Sequence, residues 1–462
     1  MGGAGLTVVS TIIVIGVLVF VHELGHFIAA KWAGIYVHRF SLGLGGPIKW
    51  LSFRRGETEY AVSWVPLGGY VKMASRLEDP TGDALEGEAP SAEVPRDRVF
   101  EAKPVWVRMV VILAGVVMNG AFAWAVFTGL LYVKGIPVLP TTEVAEVDRA
   151  RLPAGAAGLG GLVFGDRIVA VGGDSVATWQ ALERAVVNVP GDTVRLGLAG
   201  RESVVLVAPM GSPDRLTALR AVRPHLPPVI GEVVPGRPGD KAGLLVGDTV
   251  VAFDGRPVRE WREMVGQIES RAGQEVAVEV GRTGGRTIIT VTPAPEQDSA
   301  PGGGRRTVGR IGIRGPAIPD VREEIGMIPA IAEGAGRVWF VATQVVGLVR
   351  GMFSGSVSTR ELGGPIAIGM AAGQSAQAGP EEFLGLMAIL SVNLAILNLL
   401  PIPILDGGQF LFLLAEAVTR RPVTGRIREW LTMAGFVAIV MLMVLAFSND
   451  IRRILERIGV LG

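Results

Sequence analysis

Apolar residues in this chain gather into long blocks at its two ends and into short alternating runs between them. Four blocks are long and apolar enough to predict membrane-spanning helices, at about residues 6–33, 106–133, 383–418 and 430–447. The third is interrupted by NLLPIPILDGG, where Pro401 and Pro403 cannot continue a helix. Irregular backbone at membrane depth is tolerated only where protein or a cavity covers it, so this break points to a site. A fifth block, 325–349, is interrupted by Glu333 and Arg337 and followed by Arg350. It reads as an interfacial or partly embedded helix within about 325–352. After the first span, ETEYAVSWVPLGGYVKM alternates between Gly and Pro punctuation and predicts a short β-hairpin or sheet near the membrane. The acidic stretch from Leu77 to Val94 reads as a solvated loop.

Between the second and third spans the chain repeats itself. GLVFGDRIVAVGGDSVATWQALERAV recurs as GLLVGDTVVAFDGRPVREWREMVGQI, so that Gly165, Asp166 and Trp179 match Gly247, Asp248 and Trp261 at one constant offset. Gly191 and Gly273 then open a strand pair in each copy. Strand, turn, strand, helix, strand, strand describes a small β-rich module with one lateral helix. The copies resemble tandem PDZ domains at about 141–222 and 226–294, a fold that takes extended peptide ends along a sheet edge. Spacers with empty grooves would carry the same pattern. APEQDSAPGGGRR predicts a flexible linker over 295–324. Residues 1–140 and 353–462 form the membrane parts on either side.

Composition narrows the chemistry. Of 462 residues 49% are hydrophobic and 19% charged, apolar for a soluble protein. A formal net charge of +1, with no basic stripe interleaved with aromatics, gives no reason to expect nucleic acid. There is no cysteine, so a bound metal must use His, Asp or Glu. Residues 1–6 lack Lys and Arg and no small-residue cleavage site follows the first block, which argues against a cleaved signal peptide. Lys31, Arg39, Lys49, Arg54 and Arg55 after the first span, and Arg420, Arg421, Arg426 and Arg428 before the last, predict a cytoplasmic face there, with the repeats outside. Arg452, Arg453 and Arg457 run against that rule.

The first span ends in VLVFVHELGHFIAAKW. His22 and His26 are four apart and so share one helix face, spaced to grip one metal ion. Glu23 beside them can take a proton from an attacking water, the H-E-x-x-H arrangement. Nitrogen ligands without sulfur suit zinc. Ionisable groups in so apolar a run have no other ready explanation. Asp406 in the broken third span is the candidate third ligand, and equally the candidate N-cap of the helix after it. His38 and His225, in a polar loop and between the repeats, are poorer candidates. His22 lies about 16 residues from Leu6, roughly 24 Å of helix inside a core of about 30 Å.

HELGH at the end of a first span, tandem PDZ-like modules, FEAKPVWVRMVVILAG, ELGGPIAIG and NLLPIPILDGG together closely resemble the site-2 protease family of intramembrane zinc metalloproteases, best of all its bacterial regulator-of-sigma-E protease branch. The resemblance implies an α-helical polytopic membrane protein with two inserted PDZ-like domains, in the bacterial inner membrane with those domains on the outer side. It implies that His22, His26 and Asp406 bind Zn2+ and that Glu23 is the general base. It further implies that Asn398, Pro401 and Pro403 belong to a loop holding substrate. The substrate would be the transmembrane helix of a membrane protein, typically an anti-sigma factor already trimmed outside, unwound and paired with the strand around Glu59–Val65. One departure is Val116 in AGVVMN, where the family often has Pro; Asn119 is retained. The alternative is a non-enzymatic PDZ-bearing membrane scaffold, for which an intact Glu23 has no use.

Overall fold

The computed structural model describes residues 3–75, 94–299, 305–316, 318–354, 363–421 and 425–457. The expected acidic loop lies almost wholly outside them. The chain divides into two compact units, Met1–Gly135 with Glu324–Gly462, and Ile136–Glu323.

The first unit is a helical bundle of α1 (Gly3–Trp32), α2 (Val105–Lys134), α7 (Met327–Ser354), α8 (Pro365–Ala378), α9 (Pro380–Asn398), α10 (Asp406–Thr419) and α11 (Gly425–Arg457); α3 to α6 belong to the second. Four are long and apolar enough to cross a membrane: Gly5–Trp32, Val105–Lys134, Pro380–Asn398 and Gly425–Leu455. The expected third block, 383–418, is two helices, α9 and α10, with seven non-helical residues (399–405) around Pro401 and Pro403. The prolines end the helix where their missing N–H and ring bulk require.

Helix α7 sits beside α2 and α9 at their midpoints. Val338, Val341 and Ala342 pack on Ala123, Phe127, Ala388 and Val392, and the Trp124 indole donates to the Ile331 carbonyl at 3.0 Å. Helix α8 was not anticipated, because fourteen mostly small residues make no span-length block. It runs antiparallel to α1: a Cβ on Gly369 would lie 3.1 Å from Thr11 Oγ1 and one on Gly373 3.0 Å from Thr7 Cα. Its first amides therefore open alongside the middle of α1. Asp450 of α11, 1% exposed, accepts from Gly364 N at 2.9 Å and from Ile366 N and Ala367 N at 3.0 Å each. A carboxylate from another helix thus supplies the cap and meets the positive end of the helix dipole.

On the bundle lies a sheet of β1 (Val37–Pro47), β2 (Phe53–Arg55) and β3 (Thr58–Met73). Leu42 is opposite both Val62 and Gly69, so β3 doubles back and flanks β1 on either side. Glu57, in the turn before β3, accepts from Arg98 at 2.7 and 2.8 Å and from Lys31 at 2.6 Å, tying the sheet to the end of α1. These cations hold the Glu57 carboxyl below its ordinary value, the Arg98 hydrogen bonds foremost.

The second unit shows the repeat as geometry. Strands β6 (Ile168–Val171), β7 (Asp174–Ser175), β8 (Thr193–Leu198) and β9 (Arg201–Val207) form a sheet ordered β7-β6-β8-β9. Strands β12 (Thr249–Phe253), β13 (Arg256–Pro257), β14 (Val276–Arg282) and β15 (Gly285–Val291) form one ordered β13-β12-β14-β15. Helices α3 (Trp179–Asn188) and α6 (Trp261–Glu269) bury Trp179, Leu182 and Val186, and Trp261, Met264 and Ile268, one stripe each at helical spacing. Both copies carry the same clasp: Asp166 binds Arg201 and accepts from Val163 N at 2.8 Å, while Asp248 binds Arg282 at 2.6 Å and accepts from Leu245 N at 2.9 Å. In the first copy, Arg215 of α4 (Pro213–Ala221) is 1% exposed and donates to the carbonyls of Val186, Val187, Val189, Gly191 and Ala208, ending α3.

The expected linker at 295–324 is largely strand. Residues of β16 (Ala294–Ser299) pair with β17 (Arg305–Arg310), and β18 (Ile313–Pro316) pairs with β11 (Ile230–Val233) at the front of the second copy. Ile311 enters that copy's core. Strand β19 (Val321–Glu323) returns to pair with β4 (Ile136–Val138) at the start of the unit. Gly and Ser in the connection suggest flexibility, but Ile311 and Ile313 pack with the second copy's core and β18 pairs with its β11.

Candidate metal centre

Helices α1 and α2 cross where both carry glycine. A Cβ on Gly25 would stand 2.7 Å from the Ala114 carbonyl carbon and 2.9 Å from Met118 Cβ; one on Gly115 would stand 2.7 Å from His22 Cε1 and 2.9 Å from His22 Nδ1, and press on His26 Nε2. Without side chains there, α2 lies directly on the two imidazoles. Val111, Gly115 and Asn119 are spaced four apart, and this stripe meets the equally spaced His22 and His26 on α1.

The stripe determines how the rings sit. His26 Nδ1 is 2.8 Å from the Val111 carbonyl. A carbonyl only accepts, so His26 carries its proton on Nδ1 and leaves Nε2 as a bare lone pair. His22 Nδ1 is 3.2 Å from the Asn119 side-chain amide, and the Asn119 backbone carbonyl accepts from Ser391 on α9 at 2.9 Å. The two Nε2 atoms are 3.2 Å apart.

Asp406 approaches from the far side of the bundle. Its Oδ2 lies 3.2 Å from His22 Nε2 and 3.5 Å from His26 Nε2. Leu405, not Asp406, is the N-cap of α10, and it makes no side-chain cap bond. Of the two roles the sequence allows Asp406, capping is the one its side chain does not perform. Oδ2 is buried, and among the described residues no donor of hydrogen-bond geometry reaches it. The three potential ligand atoms all fall within 4.8 Å of one another. Two imidazole nitrogens and one carboxylate oxygen, turned together inside apolar walls, are a donor set that fits zinc.

The position of Asp406 is set by its helix. Gly407 and Gly408 lie against the carbonyls of Leu399, Leu400 and Ile402, with no room for a Cβ. Gln409 donates to the Pro403 carbonyl at 2.8 Å and accepts from Arg428 at 2.7 Å. At the other end of α10, Glu416 receives a two-pronged pair from Arg108 of α2, at 2.6 and 3.1 Å. Asn398, the last residue of α9, puts Nδ2 3.4 Å from His22 Nε2. Pro401 and Pro403 follow in the 399–405 loop, and Pro403 lies against Gly408, two residues beyond Asp406.

Glu23 is half-buried next to His22. A Cβ on Gly69 would come 3.0 Å from Glu23 Cγ and 2.7 Å from Val19 Cγ1. The second arm of β3, around Gly69, therefore passes directly beside the glutamate. Among the described residues, this second arm pairs with β1 on one edge only. His38 lies in β1, edge-on to Tyr36, and His225 in the second unit; neither joins the cluster. Val111, Gly115 and Gly69 were not anticipated from the sequence, which marks Asn119 only as part of the AGVVMN motif. The four-residue spacing of Val111, Gly115 and Asn119 was the available signal, and it matters only once α2 is known to lie on α1.

The description "Peptidase family M50" matches residues 10–442 of the chain. The chain is 32% identical to "Regulator of sigma-E protease RseP" of Escherichia coli over 96% of its own length and 98% of that protein's. It is 31% identical to a "Putative zinc metalloprotease" of Vibrio cholerae, again over 96% and 98% of the two lengths. It is 30% identical to "Putative zinc metalloprotease NMA0084" of Neisseria meningitidis over 97% and 99%. A match that runs through both membrane parts and the repeats between them, joined to a histidine pair and an aspartate meeting among apolar helices, leaves one conclusion: the chain belongs to peptidase family M50 and is an intramembrane zinc metalloprotease.

Proposed function

We propose that His22, His26 and Asp406 hold the zinc ion and that Glu23 is the general base for cleavage within the transmembrane segment of a membrane protein in the bacterial inner membrane. One observation carries this reading. The Nε2 atoms of His22 and His26 and the unpaired Oδ2 of Asp406 converge where α1 and α10 meet, with Glu23 on the same helix as the histidines. Zinc held there supplies Lewis-acid activation of water and of a peptide carbonyl. Val111 keeps the His26 lone pair directed inward. Glu23 takes the proton of the attacking water and returns it to the leaving amine.

A transmembrane helix hides its carbonyls in its own hydrogen bonds, so it must unwind before attack. The unpaired edge of β3 beside Glu23 is suited to receive the unwound segment as an added strand. Asn398, with Pro401 and Pro403 behind it, would steady that segment near the ligands. The name of the Escherichia coli relative points to sigma-E regulation, and we extend this to an anti-sigma factor, pre-trimmed outside the membrane, as substrate. The repeats are read as PDZ-like modules, at about 141–222 and 226–294, on the periplasmic side. Their common strand order and lateral helix support this, and in that position they would exclude substrates with large external domains.

The test is zinc content with cleavage of a model transmembrane substrate, for wild type and Glu23→Gln. One zinc per chain is expected in both, with cleavage lost in the variant. Cleavage by Glu23→Gln at the wild-type rate, or wild-type protein without stoichiometric metal, overturns the assignment.

A further inference from the structure

We propose that Asn119 is a positioning residue of the metal centre, whose side-chain amide determines which ring nitrogen of His22 is turned toward His26 and Asp406 as a lone pair. The inference rests on the ligand assignment above and extends it to a residue on a different helix.

The observations are these. Asn119 has no exposed surface. Its amide meets His22 Nδ1 at 3.2 Å, and its Oδ1 is buried with no hydrogen-bond partner among the described residues. Its backbone is held by Ser391 at 2.9 Å, so the side chain cannot drift from the ring. The other histidine has a fixed partner: Val111 offers a carbonyl, which accepts and never donates. His22 alone has a partner with two different ends. A primary amide presents a donor and an acceptor of the same shape, and rotation about one bond exchanges them.

With Nδ2 toward His22, the amide donates to the Nδ1 lone pair. The ring proton is then on Nε2, which lies 3.2 Å from Asp406 Oδ2. This arrangement suits the metal-free protein and leaves Oδ1 unpaired. A ring that gives its Nε2 lone pair to a cation must carry its proton on Nδ1, and Asn119 turned end for end accepts that proton through Oδ1. Metal-ligating histidines generally donate their second ring N–H to such a partner, and losing it typically weakens binding 10- to 100-fold. Asn119 therefore matches His22 in both states. An aspartate there could serve only the ring protonated on Nδ1, and a leucine of similar size could serve neither.

The experiment uses full-length protein labelled with 15N-histidine, which has only four histidines to assign, as wild type, Asn119→Asp and Asn119→Leu. In the metal-free protein His22 is expected to be protonated on Nε2 in wild type and on Nδ1 in Asn119→Asp. Zinc affinity, measured by chelator competition, is expected to fall about 10- to 100-fold in Asn119→Leu and to be restored in Asn119→Asp. An unchanged His22 tautomer across all three proteins, or equal zinc affinity in wild type and Asn119→Leu, overturns the proposal. Equal loss in both variants assigns Asn119 to packing alone and overturns it as well. Failure of wild type to bind zinc refutes the ligand assignment itself, and the metal-free tautomer still reads Asn119 separately.

Discussion

Replacing Gly115 with alanine separates metal-site geometry from fold stability. The new methyl would lie 2.7 Å from His22 Cε1, whereas carbon atoms make ordinary contact at about 3.5 Å. The ring or the helix must retreat by roughly 0.8 Å, and displacement on the order of 1 Å at a catalytic centre can cost about 100-fold in rate. Global stability should respond far less. Alanine is favoured over glycine in a helix by about 1 kcal/mol, against an overpacking cost of about 1–3 kcal/mol. The control lies five residues on: a Cβ on Gly120 would meet nothing within 4 Å. Gly120→Ala should keep full zinc and activity and unfold at the same or a slightly higher temperature. Gly115→Ala should unfold nearby in temperature but lose most of its zinc to a competing chelator and cleave a model transmembrane substrate about 100-fold more slowly. Zinc retention and cleavage equal to wild type in Gly115→Ala would refute the close approach of α2 to the histidines.

Two further outcomes test how the site and the modules are held. The Arg108–Glu416 pair anchors the end of α10 remote from Asp406, so Glu416→Gln should destabilise by about 3 kcal/mol and weaken zinc binding; the exchange Arg108→Glu with Glu416→Arg should recover part of both, and unchanged melting and zinc affinity in the single variant would show the pair to be idle. In the second module, burial works against ionisation of Asp248, but its pair with Arg282 and the Leu245 amide outweigh this and lower its pKa from 3.8. A lowered folded-state value means a contribution fully present above about pH 4 and lost as pH falls through the folded value; urea unfolding at stepped acid pH should show a weaker acid loss in Asp248→Asn, and identical pH profiles would count against the clasp.

The sequence by itself determined the four apolar span-length segments, the break between α9 and α10, the internal repeat and the shared face of His22 and His26 with Glu23 beside them. Each depends on local spacing or on the exclusion of charge from a bilayer, and these are written in consecutive residues. The His22–His26 face is a property of one helix, and the repeat declares itself by a constant offset. Tertiary structure alone decided what meets those elements. Asp406 reads as a cap or a ligand until α10 is placed, and only then does its unpaired oxygen face two imidazoles from the other end of the chain. Val111, Gly115 and Asn119 are ordinary residues of an apolar helix until α2 lies on α1, when they become the surface that orients both rings. Asp450 caps α8 from another helix, meeting the amides of Gly364, Ile366 and Ala367 that no residue of α8 itself satisfies. The 295–324 stretch has the composition of a linker, and its strand character comes from an unfinished sheet edge far back in the sequence. Such pairings join residues tens to hundreds of positions apart, and no local pattern carries them.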